Sequence, residues 1–168
     1  MLIFLLGMMG SGKTTLGKEL AQELGYTFLD LDAVVEQKAG RSIAELFATE
    51  GPQRFRELER DALQTIAASY TQAVVATGGG APCFFDNMAL MNAAGTTIFL
   101  DVPPEELAER LSQSDLTVRP LLAGKTQSEL IPFVGKTLAE RRQFYEQAKY
   151  IVATPPYTNS VLLALLPL

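Results

Sequence analysis

Five short apolar runs divide the chain, at 2–6, 26–30, 73–77, 96–101 and 149–153. Several are almost continuously hydrophobic, such as Leu2-Ile3-Phe4-Leu5-Leu6 and Thr97-Ile98-Phe99-Leu100. Runs of this length without polar alternation predict strands buried on both faces. Between them, hydrophobic positions recur at helical spacing. The clearest stripe is Phe55, Leu58, Ala62, Leu63, Ile66, Ala67 and Tyr70. The spacing predicts helices near 14–24, 33–39, 43–49, 53–69, 84–93, 104–112 and 127–147, and a last helix from the apolar tail Val161 to Leu166. Alternating strands and helices predict an α/β fold with a parallel sheet covered on both sides. Sites in such sheets lie at the carboxyl ends of the strands, so the residues just after each apolar run carry the chemistry.

No repeat or low-complexity linker interrupts the pattern, and 168 residues suit one domain, 1–168. The net charge is −5 with no basic run, which argues against nucleic acid or an anionic membrane as partner. The first apolar run is too short to span a membrane, and no basic region precedes it. The chain has no histidine, which excludes a histidine-based triad or metal site and leaves proton handling to carboxylates, lysine or water. Cys83 is the only cysteine and reads as a small apolar side chain; with no internal disulfide, a cytoplasmic location is expected.

After the first run comes Gly7-Met8-Met9-Gly10-Ser11-Gly12-Lys13-Thr14, which fits G-x-x-x-x-G-K-[ST] between a strand and a helix. Glycines there let backbone N–H groups turn toward phosphate oxygens, and the helix N-terminus adds a favourable dipole. Lys13 would reach the β- and γ-phosphates, and the Thr14 hydroxyl would ligate Mg²⁺.

After the second run stand Asp30 and Asp32. In an extended chain, residues two apart point the same way, so both carboxylates would face the phosphate loop. One could hold Mg²⁺ through water while the other orients an accepting hydroxyl. Alternatively, Asp32 caps a helix starting at Ala33. After the third run, Gly78-Gly79-Gly80 permits close backbone approach to a ligand. After the fourth, Asp101 could ligate Mg²⁺, but the following Val102-Pro103-Pro104-Glu105 favours a helix cap. Arg56 can pair with Glu59 and by itself reads as a solvated helix charge. Ser112 to Lys125 reads as a long loop, expected to act as a lid over about 112–125, with Arg119 poised to close over phosphates. Arg141 and Tyr145 share a helix face, with Arg142 competing for any role given to Arg141.

Together these residues resemble the shikimate kinase family of small P-loop kinases, essentially end to end. The resemblance rests on the loop at 7–15, Asp30 and Asp32, Gly40-Arg41-Ser42-Ile43 with Phe47, and Phe55-Arg56 with Glu59. Thr77-Gly78-Gly79-Gly80, Arg119-Pro120-Leu121-Leu122 and Arg141 with Tyr145 complete it. It implies ATP-dependent phosphorylation of the shikimate 3-hydroxyl in aromatic amino-acid biosynthesis, with Mg²⁺. The implied fold is three-layered, with a five-stranded parallel sheet in order 2-3-1-4-5 and helices on both faces. The implied ATP contacts are Gly10, Ser11, Gly12, Lys13, Thr14, Thr15 and Arg119; Thr14 and Asp30 would hold Mg²⁺. Asp32, Arg56, Gly78, Gly79, Gly80 and Arg141 would contact shikimate, from a substrate section at about 32–60 and from later loops. Lys13, Asp32 and Arg119 would carry the catalysis, and the family suggests a monomer. The chain departs from the family at Ala153 to Tyr157, which lacks an often-present arginine, and at Gln143, where proline is common. Rival kinases of gluconate or nucleoside monophosphates fit the aspartate pair, triple glycine and paired arginines less well. The Asp-x-x-Gly and Asn-Lys-x-Asp signatures of GTPase switches are missing.

Overall fold

A computed structural model describes residues 1–114, 122 and 124–168. Five parallel strands, β1 (Leu2–Leu6), β2 (Thr27–Asp30), β3 (Ala73–Ala76), β4 (Gly95–Leu100) and β5 (Tyr150–Val152), form one sheet in the order β2-β3-β1-β4-β5. Each lies within one or two residues of its predicted run.

The central strand shows why the sheet needs cover on both sides. Side chains alternate along a strand, and all five of β1 are buried. Leu2, Phe4 and Leu6 enter one apolar cluster; Ile3 and Leu5 enter another. Fully burying such a side chain stabilises the fold by about 1.5–3 kcal/mol. The second cluster is closed by α1 (Lys13–Leu24), through Leu16 and Leu20, and by the terminal helix α7 (Asn159–Leu165), whose Leu162 is fully buried. The apolar tail therefore rests on its own sheet. The first cluster is closed by α2 (Leu31–Ala39), α3 (Ile43–Ser69), α4 (Asn87–Ala94), α5 (Pro104–Ser112) and α6 (Gln127–Tyr145).

Two helix boundaries differ from the sequence pattern for physical reasons. The helix after β2 begins at Leu31, not Ala33, because the Asp30 carboxylate accepts from the Asp32 and Ala33 N–H groups at 3.0 and 3.3 Å. Asp30, not Asp32, is the N-cap, and the chain leaves the extended conformation immediately after it. The helices predicted at 43–49 and 53–69 form one span broken at Gly51, where φ is 83° and Pro52 follows. Ser42 and Glu45 start that span with a reciprocal capping box.

Candidate active site

The glycine loop joins β1 to α1. Gly10 and Gly12 take φ values of 81° and 97°, a region that side chains with a β-carbon avoid. Gly12 is the N-cap of α1 and offers no side chain to the first turn. The N–H groups of that turn are available to an anion, where the helix dipole also favours one. Inside the loop, Lys13 Nζ donates to the carbonyls of Gly7 and Met8 at 2.7 and 2.8 Å, and the Ser11 N–H donates to Met8 at 3.1 Å.

The loop opens on a cleft of about 790 Å³. Gly10, Ser11, Gly12, Lys13, Thr14 and Thr15 line it, as do Asp30, Asp32, Gly78 and Gly79. Arg110 and Tyr157 also line it, and no sequence motif marked them. Arg110 donates to the Gly10 carbonyl at 3.2 Å, pairs with Glu106 at 2.7 Å, and lies 5.8 Å from the centre of the Tyr157 ring. The only sequence signal was the Glu106–Arg110 spacing of four, which is common on helix surfaces. Tyr157 stands in the stretch that lacks the family's arginine.

The end of β3 carries the second half of the site. A β-carbon on Gly78 would lie 3.0 Å from Asp32 Oδ1; on Gly79, 2.7 Å from Arg141 Nη1; on Gly80, 2.5 Å from Arg56 Nη2. Three candidate side chains from α2, α6 and α3 thus crowd one bare backbone segment. Burial pushes the Asp32 carboxyl above its ordinary value, and the neighbouring Asp30 adds to the rise, while Lys13 and Arg56 oppose it. Asp30 and Asp32 both face the cleft, although by a helix cap rather than by strand alternation.

Arg56 is no solvated surface charge: its side chain is only 18% exposed. The guanidinium lies 4.1 Å from the Phe84 ring centre and 5.0 Å from that of Phe55, and it pairs with Glu59 at 2.9 Å. Glu59 is fully buried, and its second oxygen has no hydrogen-bond partner among the described residues. Desolvation therefore outweighs the Arg56 pairing and pushes its carboxyl up to about 7. The apolar stripe marked this position, because 55, 59, 62 and 66 follow one helix face, but a glutamate there reads as a gap.

The burial of Glu59 has a measurable cost. Between about pH 4.5 and 7 the folded chain keeps a proton that the unfolded chain has released, so stability falls as pH rises through this window. Glu59→Gln is expected to remove that component, on the order of 3 kcal/mol at full ionisation. Urea unfolding of both proteins at several pH values reads the difference; parallel curves would exclude it.

Arg141 and Arg142 are separated clearly. Arg141 turns to Gly79 and to Met8, whose sulfur is 3.9 Å away. Tyr145, one turn on, donates to the Gly79 carbonyl at 2.5 Å, and burial pushes its hydroxyl up to about 12. Arg142 turns away and grips Asp101 with both nitrogens, at 2.8 and 3.0 Å. Asp101 is therefore not the cap of α5: Pro103 holds that position without a side-chain bond. Cys83 is half-buried with its thiol pushed up by burial, which suits a packing role. Arg119 and most of the expected lid loop lie outside the described residues. Among the described residues, no helix is long and apolar enough to cross a membrane.

Comparison with known proteins points to one family. The shikimate kinase family matches residues 9–163. A shikimate kinase of Bacteroides fragilis is 50% identical over 149 residues, 89% of this chain and 82% of that protein. The crystal structure of the Bacteroides thetaiotaomicron shikimate kinase superposes with a TM-score of 0.84 at 47% identity, covering 89% of this chain and 84% of that one. The Acinetobacter baumannii shikimate kinase, solved in complex with shikimate, gives 0.82 at 33% identity, over 97% and 88%. A family match that takes in most of the phosphate loop, both aspartates, Arg56 and Arg141 leaves one conclusion: the chain belongs to the shikimate kinase family.

Proposed function

We propose that this chain transfers the γ-phosphoryl group of ATP to the 3-hydroxyl of shikimate, giving shikimate 3-phosphate and ADP, as a monomeric cytoplasmic enzyme. The observation that carries the reading is the convergence of Asp32, Arg56 and Arg141 on Gly78, Gly79 and Gly80 beside the phosphate loop. Shikimate offers a carboxylate and hydroxyls. Two guanidinium forks suit the carboxylate; Asp32 and the glycine backbone suit the hydroxyls. The section 32–60 supplies Asp32 and Arg56 within one P-loop kinase domain.

The phosphates sit on the N–H groups of residues 10–15 and on Lys13, which exchanges loop carbonyls for phosphate oxygens. Thr14 and Asp30 line the same cleft and supply hard oxygen donors, which fits Mg²⁺ better than a softer metal. One Asp30 oxygen caps α2, so the other would be the one to help hold the ion. Bound there, Mg²⁺ would neutralise charge on the β- and γ-phosphates. Arg110 and Tyr157 wall the part of the cleft left for the nucleoside. Arg56 and Arg141 hold the carboxylate so that the 3-hydroxyl lies against Asp32. The new O–P bond forms as the bond to the β-phosphate oxygen breaks. The hydroxyl proton passes late to Asp32, and its raised pKa makes it a better acceptor. Lys13, and Arg119 by its place in the sequence motif, offset charge on the transferred group.

The decisive assay is ADP release with ATP and Mg²⁺, comparing shikimate, gluconate, AMP and no acceptor. Release strictly dependent on shikimate is expected. Release without that preference would overturn the assignment of Arg56 and Arg141. Gly80→Ala offers a finer check. The three atoms nearest its β-carbon would all belong to the Arg56 guanidinium, at 2.5–2.9 Å, so that group must shift; the fold should survive and shikimate KM should rise about tenfold, the equivalent of 1.4 kcal/mol. An unchanged KM would show that Arg56 need not lie against this glycine.

A further inference from the structure

We infer that Asp101 and Arg142 are a positioning pair that sets the rotation of α6 and so aims Arg141 at the substrate carboxylate. The inference rests on the proposed role of Arg141. Successive residues of an α-helix point about 100° apart, since 3.6 residues make a turn. Fixing Arg142 on one bearing therefore fixes Arg141 on the next.

The anchor for Arg142 is rigid. Asp101 follows β4 directly; its N–H donates to the Val152 carbonyl at 3.0 Å, and its own carbonyl accepts from the Tyr157 hydroxyl at 3.2 Å. Its carboxylate, only 17% exposed, takes both Arg142 nitrogens in a fork that specifies orientation as well as distance. Glu146 adds a longer contact to Arg142 at 3.5 Å.

A second point is still required, because one contact lets a helix roll about it. Tyr145 supplies it by donating to the Gly79 carbonyl from the same face as Arg141. The two contacts, three residues and so about 60° apart around the helix, define the roll of the last turns. Arg141 itself meets the Met8 sulfur at 3.9 Å and the hydroxyl of Tyr145, which is carried by the same helix, so its aim depends on that helix.

Steady-state kinetics of Arg142→Gln, Asp101→Asn, Arg141→Lys and the doubles Arg142→Gln with Asp101→Asn and Arg142→Gln with Arg141→Lys tests the inference. Urea unfolding verifies that each variant is folded. Each pair variant is expected to raise shikimate KM about tenfold, within the range for coupled neighbours, with kcat and ATP KM retained. Removing both partners should cost no more than removing one. Arg142→Gln should add nothing in the Arg141→Lys background. An unchanged KM in the pair variants, equal losses for shikimate and ATP, or additivity with Arg141→Lys would each overturn the inference. If Arg141→Lys alone leaves shikimate KM unchanged, the assignment of Arg141 fails first, which is a distinct result.

Discussion

In Asp32→Asn, turnover is expected to fall about 10²–10⁴-fold, the range for losing a positioned proton acceptor. ATP binding should be nearly intact, because the proposed phosphate site is the loop and Lys13, not Asp32. Asparagine keeps the size of the side chain and can still bond a hydroxyl, but it cannot take the proton. Phosphoryl-transfer transition states are largely loose, so orientation retained by asparagine should favour the smaller end of the range. The wild-type rate should also fall as pH drops through the raised pKa of Asp32, and this acid limb should vanish in the variant. Rapid-quench turnover across pH, with nucleotide titration alongside, measures both. Near-normal turnover in the variant would remove Asp32 from the proton path.

The second large effect belongs to Arg56→Ala. Truncating one member of a buried, hydrogen-bonded charge pair typically costs 2–5 kcal/mol in binding, so shikimate KM should rise about 30-fold or more. Arg56→Lys should rescue little, because a lysine supplies no planar fork and stacks less well between Phe55 and Phe84. The same change leaves Glu59 buried without its partner at 2.9 Å. Such a removal usually destabilises a fold by about 3–5 kcal/mol. Here the carboxyl, already pushed up to about 7, can take a proton instead and limit the loss. The variant should therefore be more destabilised at pH 8 than at pH 6. Shikimate KM together with urea midpoints at both pH values measures this. A retained KM would exclude Arg56 from the substrate, and a pH-independent stability loss would exclude proton uptake by Glu59.

Local signals were legible in the chain; long-range partnerships were not. The strands and the phosphate loop are encoded in consecutive residues, and their positions follow the hydrophobic runs closely. Asp30 and Asp32 were identifiable as residues facing the cleft, but the cap that turns the chain at Asp30 depends on one carboxylate choosing backbone over solvent. Asp101 read as a helix cap because its neighbours are Val102, Pro103 and Pro104; its partner Arg142 lies on a different helix, and local spacing cannot reveal it. That same contact separates Arg141 from Arg142, which sequence position alone left open. Glu59 was legible as the partner of Arg56, but its full burial was not, and Arg110 was missed because the carbonyl it meets, Gly10, lies far away in the chain.

The central place of β1 in the sheet has a consequence for the chain's synthesis. Ile3 pairs with Val74 on one side and Thr96 on the other, so the first strand made has no neighbour until much later residues emerge. At the usual 5–20 residues per second, reaching Thr96 takes about 5–20 s. Until β3 emerges, about 4–14 s after Ile3 at that rate, Leu2–Leu6 has no strand to pair with and is a wholly apolar segment, the kind that seeks the edges of other chains. The strand that later anchors the core is thus an aggregation-prone stretch of the nascent chain, and its protection depends on how quickly β3 and β4 follow.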